Sequence, residues 1–444
     1  MRYFLVGLSL VLSNAAVAAT EDAISQARLR ADVERLVGFG TRHTHSVQDD
    51  PVRGIGAARA WAEAEFRKTS TACGGCLEIA KPERIVSGGD RVPVPTRLVN
   101  MVAIQRGTER PNEVVIVQAH IDSRVSNILD ATSDAPGAND DGSGVALVME
   151  AARVLSREKY AGTIVYAALS GEEQGLLGGK LLADYAAEQG WTVKAVLNND
   201  IVGGSRGSDG YRDDTHVRVL SEGPRADATD ALRAQMRRFG GENDSPSRNI
   251  SRWVAGLAAS DRVGLAARQI WRADRMGRGG DQLPFSDKGY PAVRFTVAVE
   301  DYEHQHQDVR TEGGVKFGDT VDEMDFAYLA KVTRLNVRAL AGLARAPMPP
   351  APVVKGAVQT STELEWQAVP GAAKYVLWQR RTDAPAWESR VSETAATGVK
   401  LAGVRADDWL FGVSAIAADG SASPVASAVP GGQFGPLPPS PPTP

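Results

Sequence analysis

Cysteine is the scarcest resource in this chain: only two occur among 444 residues, both in "CGGC", Cys73 to Cys76. Two thiols cannot complete an all-cysteine zinc site. With no thioredoxin-like surroundings, the pair reads as a local disulfide in an oxidising compartment. Histidine is also sparse, with 6 residues, so each one near an acid carries information. Excess charge of one sign is missing too. A net charge of -4 leaves no basic footprint for nucleic acid, and no run of like charges suggests a binding tail. Long apolar runs are absent apart from Tyr3 to Leu12, which is too short to cross a bilayer as a helix. No internal repeat is found.

That apolar run follows Arg2 and precedes the small residues Ala16 to Ala19, the pattern of a secretory signal. Residues 1–19 are therefore expected to be removed, leaving a secreted or periplasmic protein with no transmembrane segment. From about Ala23 onward strands and helices alternate. "EVVIVQAHID" and "TIVYAALS" read as strands, "GSGVALVMEAARVLS" and "GLLGGKLLADYAAEQG" as helices, and "VKAVLNNDIVG" as a strand again. Near-continuous apolar strands between helices predict an α/β fold, three layers around a central, mostly parallel twisted sheet. A last amphipathic helix closes this unit, 20–345.

Residues 346–352, "APMPPAP", read as a proline linker. Beyond it, 353–430 switches to short alternating strands, with Trp366, Tyr375, Phe411, Val413 and Ala415 where a small all-β sandwich would bury them. This part resembles a fibronectin type III domain. The two parts are expected to have separate cores. The proline-rich end, 431–444, is expected to be disordered.

Five acidic or histidine clusters fall at predicted strand ends, where ligands of parallel sheets bind. They are "AHID" (His120, Asp122), "GANDDGSG" (Asn139, Asp140, Asp141), "SGEEQG" (Glu172, Glu173), "NND" (Asp200) and "YEHQHQD" (His304, His306, Asp308). Each has a plain reading alone: a surface histidine, a turn and helix cap, or a solvated helix start. Together they mass carboxylates that repel one another unless cations neutralise them. Imidazole mixed with carboxylate suits zinc.

These motifs, in this order, resemble the co-catalytic di-zinc aminopeptidases, the bacterial leucyl aminopeptidase family, over roughly Glu34 to Arg345. "GGDQLPFSDKGYPAV" matches as well. The resemblance implies two zinc ions per chain, one held by His120 and Asp200, the other by Glu173 and His304, with Asp140 bridging. It implies that Asp122 orients the imidazole of His120 and that Glu172 is the general base. Two adjacent glutamates would point apart on a regular helix or strand, so an irregular turn is expected there. His304 is preferred to His306 because it stands four residues before Asp308. The implied substrates are peptides with a free N-terminus, and the C-terminal module would serve surface or substrate attachment.

Three other readings remain. A zinc carboxypeptidase of the same fold would need a cation for the substrate carboxylate, and Arg272, Arg275 and Arg278 lie upstream of Asp281. A glutaminyl cyclase typically works with one zinc, which the full ligand set opposes. A metal-free binding or adhesion protein is opposed by the filled ligand positions.

Overall fold

The computed structural model describes residues 21–260 and 264–437; the expected signal, 1–19, lies outside them. The first ten strands are β1 (Glu78–Ala80), β2 (Glu83–Val86), β3 (Thr96–Val99), β4 (Met101–Gln105) and β5 (Arg110–His120), then β6 (Gly162–Leu169), β7 (Thr192–Asn199), β8 (His216–Ser221), β9 (Ala266–Ile270) and β10 (Ala292–Val297). Eight form one sheet in the order β1-β4-β6-β5-β7-β10-β8-β9, while β2 and β3 pair separately.

The expected parallel character holds at the centre of this sheet. β5 pairs parallel with β6 and β7, and β7 with β10, because the helices Gly142–Leu155 and Leu177–Glu188 return the chain to the same edge. The pairs β1–β4, β4–β6 and β10–β8 are antiparallel, so the sheet as a whole is mixed. Alternation along β5 builds both faces. Val115, Val117 and Ala119 join the core under the helices Gln26–Val37, Gly142–Leu155 and Phe326–Arg345. Val114 and Ile116 join the opposite core, against the helix Leu177–Glu188 and Phe285. The result is three layers.

The C-terminal strands form two all-antiparallel sheets. One joins Val353–Lys355, Ser361–Glu365 and Gly398–Ala402; the other joins Ser389–Thr394, Lys374–Arg381, Trp409–Ile416 and Ala426–Ser427. Trp366, Tyr375, Phe411, Val413 and Ala415 share one core, as their alternation predicts.

The segments expected to be loose are held down. Ala346, Pro347, Pro349 and Pro350 are buried. Lys194 Nζ donates to the carbonyls of Leu343 (2.9 Å) and Ala346 (2.5 Å), and Arg110 Nη2 donates to the Arg345 carbonyl at 2.9 Å. The start of the final segment, expected to be disordered, forms a strap instead. The buried guanidinium of Arg225 donates to the carbonyls of Gln433 and Gly435, each at 2.7 Å. Leu437 N–H donates to Asp227 at 3.1 Å, and Phe434 packs against the main core. Its composition correctly denies it regular structure, but a buried cation supplies partners for its carbonyls. Between strap and sheets, Asp244 receives Arg252 Nη1 at 3.2 Å and Arg380 Nη2 at 2.6 Å, joining the two units. Cys73 and Cys76 form the expected disulfide.

Candidate metal centre

β5, β6 and β7 run parallel in register, with His120 beside Leu169 and Gln118 beside Asn198. His120, the residues after β6, and Asp200 therefore come level at one edge of the sheet. The helix Gly142–Leu155 starts there too. Asp141 caps it by accepting Gly144 N–H (3.0 Å) and also accepts His120 N–H (3.1 Å). Asp140, one residue earlier, is turned toward the sheet edge.

Two groups of three ligand side chains result, His120–Asp140–Asp200 and Asp140–Glu173–His306, each with its ligand atoms within 4.8 Å of one another. His120 Nε2 lies 3.1 Å from Asp140 Oδ1 and 3.8 Å from Asp200 Oδ1. His306 Nε2 lies 2.9 Å from Asp140 Oδ2 and 3.0 Å from Glu173 Oε1. Asp140 thus offers one oxygen to each group. Glu173 Oε1 is buried with the His306 nitrogen as its one close polar neighbour among the described residues, at 3.0 Å, an arrangement in which a shared cation would satisfy both groups. A mixed imidazole and carboxylate donor set of this kind fits zinc.

His304 is not in either group. Its Nδ1 is 2.8 Å from the Gly318 carbonyl, and its Nε2 is 3.6 Å from both Asp301 and Glu323. His306 takes the place expected of His304. Its backbone has φ 56°, a left-handed turn that aims the ring into the cleft. Spacing to Asp308 misled, because that carboxylate is occupied by Ser126 (Oγ to Oδ1, 2.9 Å). Asp122 meets the imidazole of His120 through its backbone rather than its carboxylate. Its carboxylate is 3.7 Å from His120 Nδ1, beyond hydrogen-bond reach. It instead accepts the N–H groups of Gly171 (2.8 Å), Glu172 (3.3 Å) and Glu173 (3.2 Å). The imidazole is met by the Asp122 carbonyl at 3.1 Å.

Asp122 therefore fastens the irregular turn between β6 and the helix Leu177–Glu188, where Gly171, Gly175 and Leu176 have positive φ. That turn sends Glu173 into the cluster while Glu172 lines the adjoining cavity. Burial, reinforced by Glu173 and Asp200, pushes the Glu172 carboxyl well above its ordinary value. Such a carboxylate accepts a proton more readily than an exposed one. Burial opposes the charge on Asp140, yet His306 and His120 hold its carboxyl well below the usual range. Burial also opposes charge on His120, but Asp122, Asp140 and Asp200 outweigh it and raise its pKa.

Three further residues shape the site without a legible motif. Arg124 Nε grips Glu173 Oε2 at 2.9 Å, leaving Oε1 for the cluster, and its Nη2 lies 2.6 Å from His306 Nδ1. Arg294, buried on β10, lies 2.8 Å from Asp200. Asp319 accepts the N–H groups of Asn139 (2.9 Å) and Asp140 (2.7 Å) and so sets the bridging carboxylate. No spacing rule connects these residues to the motifs.

Residues 100–313 match the family described as Peptidase family M28. A probable zinc metalloprotease of Leptosphaeria maculans is 39% identical over 420 residues, covering 94% of this chain and 97% of the relative. The chain belongs to peptidase family M28. A second relative, a probable zinc metalloprotease of Pyricularia oryzae, is 40% identical to this M28 chain over 442 residues, 96% of it and 86% of the relative. The fold of the M28 chain is shared with the LapA aminopeptidase of Legionella pneumophila, with a TM-score of 0.53 and 20% identity over 74% of both chains. LapB of the same organism gives 0.54 and 19%, over 74% and 75%. The cluster residues from His120 to His306 all lie inside the matched stretch.

Proposed function

We propose that this M28 chain is an exported di-zinc aminopeptidase that removes N-terminal residues from peptides. The observation that carries the proposal is Asp140, which offers one oxygen to His120 and Asp200 and the other to Glu173 and His306. His120, Asp200 and Asp140 would hold one ion; Glu173, His306 and Asp140 would hold the second. Two zinc ions, when bound, supply Lewis acidity toward the scissile carbonyl and make water easier to deprotonate. The protein's own groups do the rest. Glu172 lines the cavity without entering either ligand group, and burial raises its basicity. It is suited to take the proton of the attacking water and return it to the leaving amine. Asp122, by holding three consecutive N–H groups, keeps Glu172 and Glu173 aimed differently. The crowd of carboxylates favours a substrate ammonium over a substrate carboxylate.

Export is supported by the N-terminal pattern and by the disulfide. The sheets of three and four antiparallel strands around one core support a fibronectin type III-like sandwich, which would serve for attachment to a surface or substrate. One observation favours the carboxypeptidase alternative: Arg275 and Arg278 line the cavity, although Arg272 does not.

The test is a comparison of amino-acid amides and peptides with free or acetylated amino ends, with metal content measured alongside. Acetylation is expected to abolish most of the rate, amidation at the far end of a long peptide little of it, and chelation all of it. Dependence on a free C-terminal carboxylate with tolerance of acetylation would reverse the polarity.

A further inference from the structure

The cavity beside the cluster has a volume of about 360 Å³. Binding sites for apolar side chains are walled mainly by apolar and aromatic groups. This one has Leu176 as its sole apolar side chain, and no aromatic one. Gly175 and Gly277 keep part of the wall open, with nothing within 4 Å of where a Cβ would stand. Outside the two ligand groups the wall carries four guanidiniums, Arg91, Arg124, Arg275 and Arg278, against one carboxylate, Glu172.

These guanidiniums are not equally engaged. Arg124 is spent on Glu173 and His306. Arg275 is spent on Asp274 and Glu300, at 3.2 Å each. Arg278 reaches only Glu300, Nη1 to Oε2 at 2.6 Å, and shares that carboxylate with Arg275 and Arg218. Two carboxylates, Glu300 and Asp274, face the three guanidiniums of Arg218, Arg275 and Arg278, which leaves one positive charge over. Arg91 has no ion pair among the described residues, and its side chain donates only to the Glu173 carbonyl, at 3.0 Å. Guanidinium donors that are only partly engaged recognise a carboxylate by charge-assisted hydrogen bonds.

We propose that Arg278 and Arg91 form a carboxylate subsite, so that the preferred substrates carry an anionic group close to the scissile bond. The inference rests on the reading of the cluster as a hydrolytic centre, and it names the substrate class of that centre. The carboxylate comes either from the side chain of an N-terminal acidic residue or from the α-carboxylate of a short peptide. Arg275, already paired, holds Glu300 and through it positions Arg278.

The test uses the zinc-loaded full chain and two substrate pairs. Glutamyl-amide against glutaminyl-amide reads the side-chain carboxylate; leucyl-glycine against leucyl-glycinamide reads the α-carboxylate. At least one acidic member is expected to exceed its neutral partner by about tenfold to a hundredfold in kcat/KM, mostly through KM, the worth of one charge-assisted bond. Arg278→Ala should collapse that ratio with zinc content unchanged. Arg278→Lys should keep part of it, since the charge stays but the fork is lost. Arg91→Ala, on an exposed side chain, should lower the ratio independently. Equal rates within both pairs, or a ratio that survives both alanine variants, would overturn the subsite. If the wild type hydrolyses none of the four, the hydrolytic reading fails. Calorimetric binding of glutamate against glutamine then decides the subsite alone: a preference lost in Arg278→Ala keeps it, and equal binding removes it.

Discussion

At the ends of β5, β6 and β7, four carboxylates, Asp140, Glu172, Glu173 and Asp200, crowd one cleft. Besides the imidazoles of His120 and His306, the cations that touch them are Arg124 and Arg294, one carboxylate each. At the seam between the mixed sheet and the C-terminal sheets, buried charge is arranged otherwise. Asp244 is shared by Arg252 and Arg380, while Arg252 also donates to the carbonyls of Pro385 (2.8 Å) and Asn243 (2.8 Å). Arg225 is met by Asp227 and by the strap carbonyls. At the seam the shared carboxylate, Asp244, is outnumbered by guanidiniums, whereas in the cleft carboxylates are in surplus. Buried charge closed within the protein is structural; buried charge left in surplus around an opening is prepared for something that arrives.

The hardest blow to this contrast falls on the chemistry. Glu172→Gln should lower turnover by about 10²–10⁴-fold with both ions retained, as removal of a general base does. Loss of metal in that variant would make Glu172 a ligand and leave the cleft without a base. On the proposed two-ion reading, His306→Ala should release about half of the bound zinc on dialysis and His304→Ala none, because only His306 stands in a ligand group. Equal losses would return His304 to the cluster.

The seam should answer in stability rather than in rate. Asp244→Ala leaves Arg252 and Arg380 buried without their carboxylate and should cost about 3–5 kcal/mol in urea unfolding. Ending the chain after Pro430 removes the strap carbonyls that accept from Arg225, leaving it Asp227 and the Gly289 carbonyl, and removes the packing of Phe434. A loss of about 3 kcal/mol is expected, from hydrogen bonds to a charged group and apolar area. No loss would mean that the strap is ornamental and the two units independent.

The smallest effect is a slope with pH. Burial pushes the Glu222 carboxyl, beside Arg225, from the ordinary 4.5 up to about 7. A raised acid keeps in the fold a proton that the unfolded chain has released. Its contribution is therefore complete below pH about 4.5 and is lost as pH rises through about 7. Unfolding free energy should fall by on the order of 2 kcal/mol across that window, and Glu222→Gln should flatten the fall. A rise with pH in the wild type alone would reverse the sign.

Much of this was legible in the chain. Period-two alternation marked Trp366, Tyr375 and Phe411 as inward, and uninterrupted apolar runs marked β5, β6 and β7 as covered on both faces. The cleft could be read because its acids and histidines follow strands that run side by side. The choice of His306 could not, because it depends on a single left-handed residue, which spacing does not encode. Arg124, Arg294 and Asp319 escaped for a related reason: a side chain that aims another is recognised by distance, and distance between remote segments is absent from a string. The strap escaped because glycine and proline report what the backbone cannot form, not what can hold it.

The strap also sets a clock. Arg225 is made 208 residues before Gln433 and 210 before Gly435. At about 5–20 residues per second, roughly ten to forty seconds separate the cation from its last acceptors. A message cut short between His306 and Gln433 would still encode every cluster residue, yet its product would keep Arg225 without those carbonyls. The last contacts of Arg225 thus form well after every cluster residue has been made.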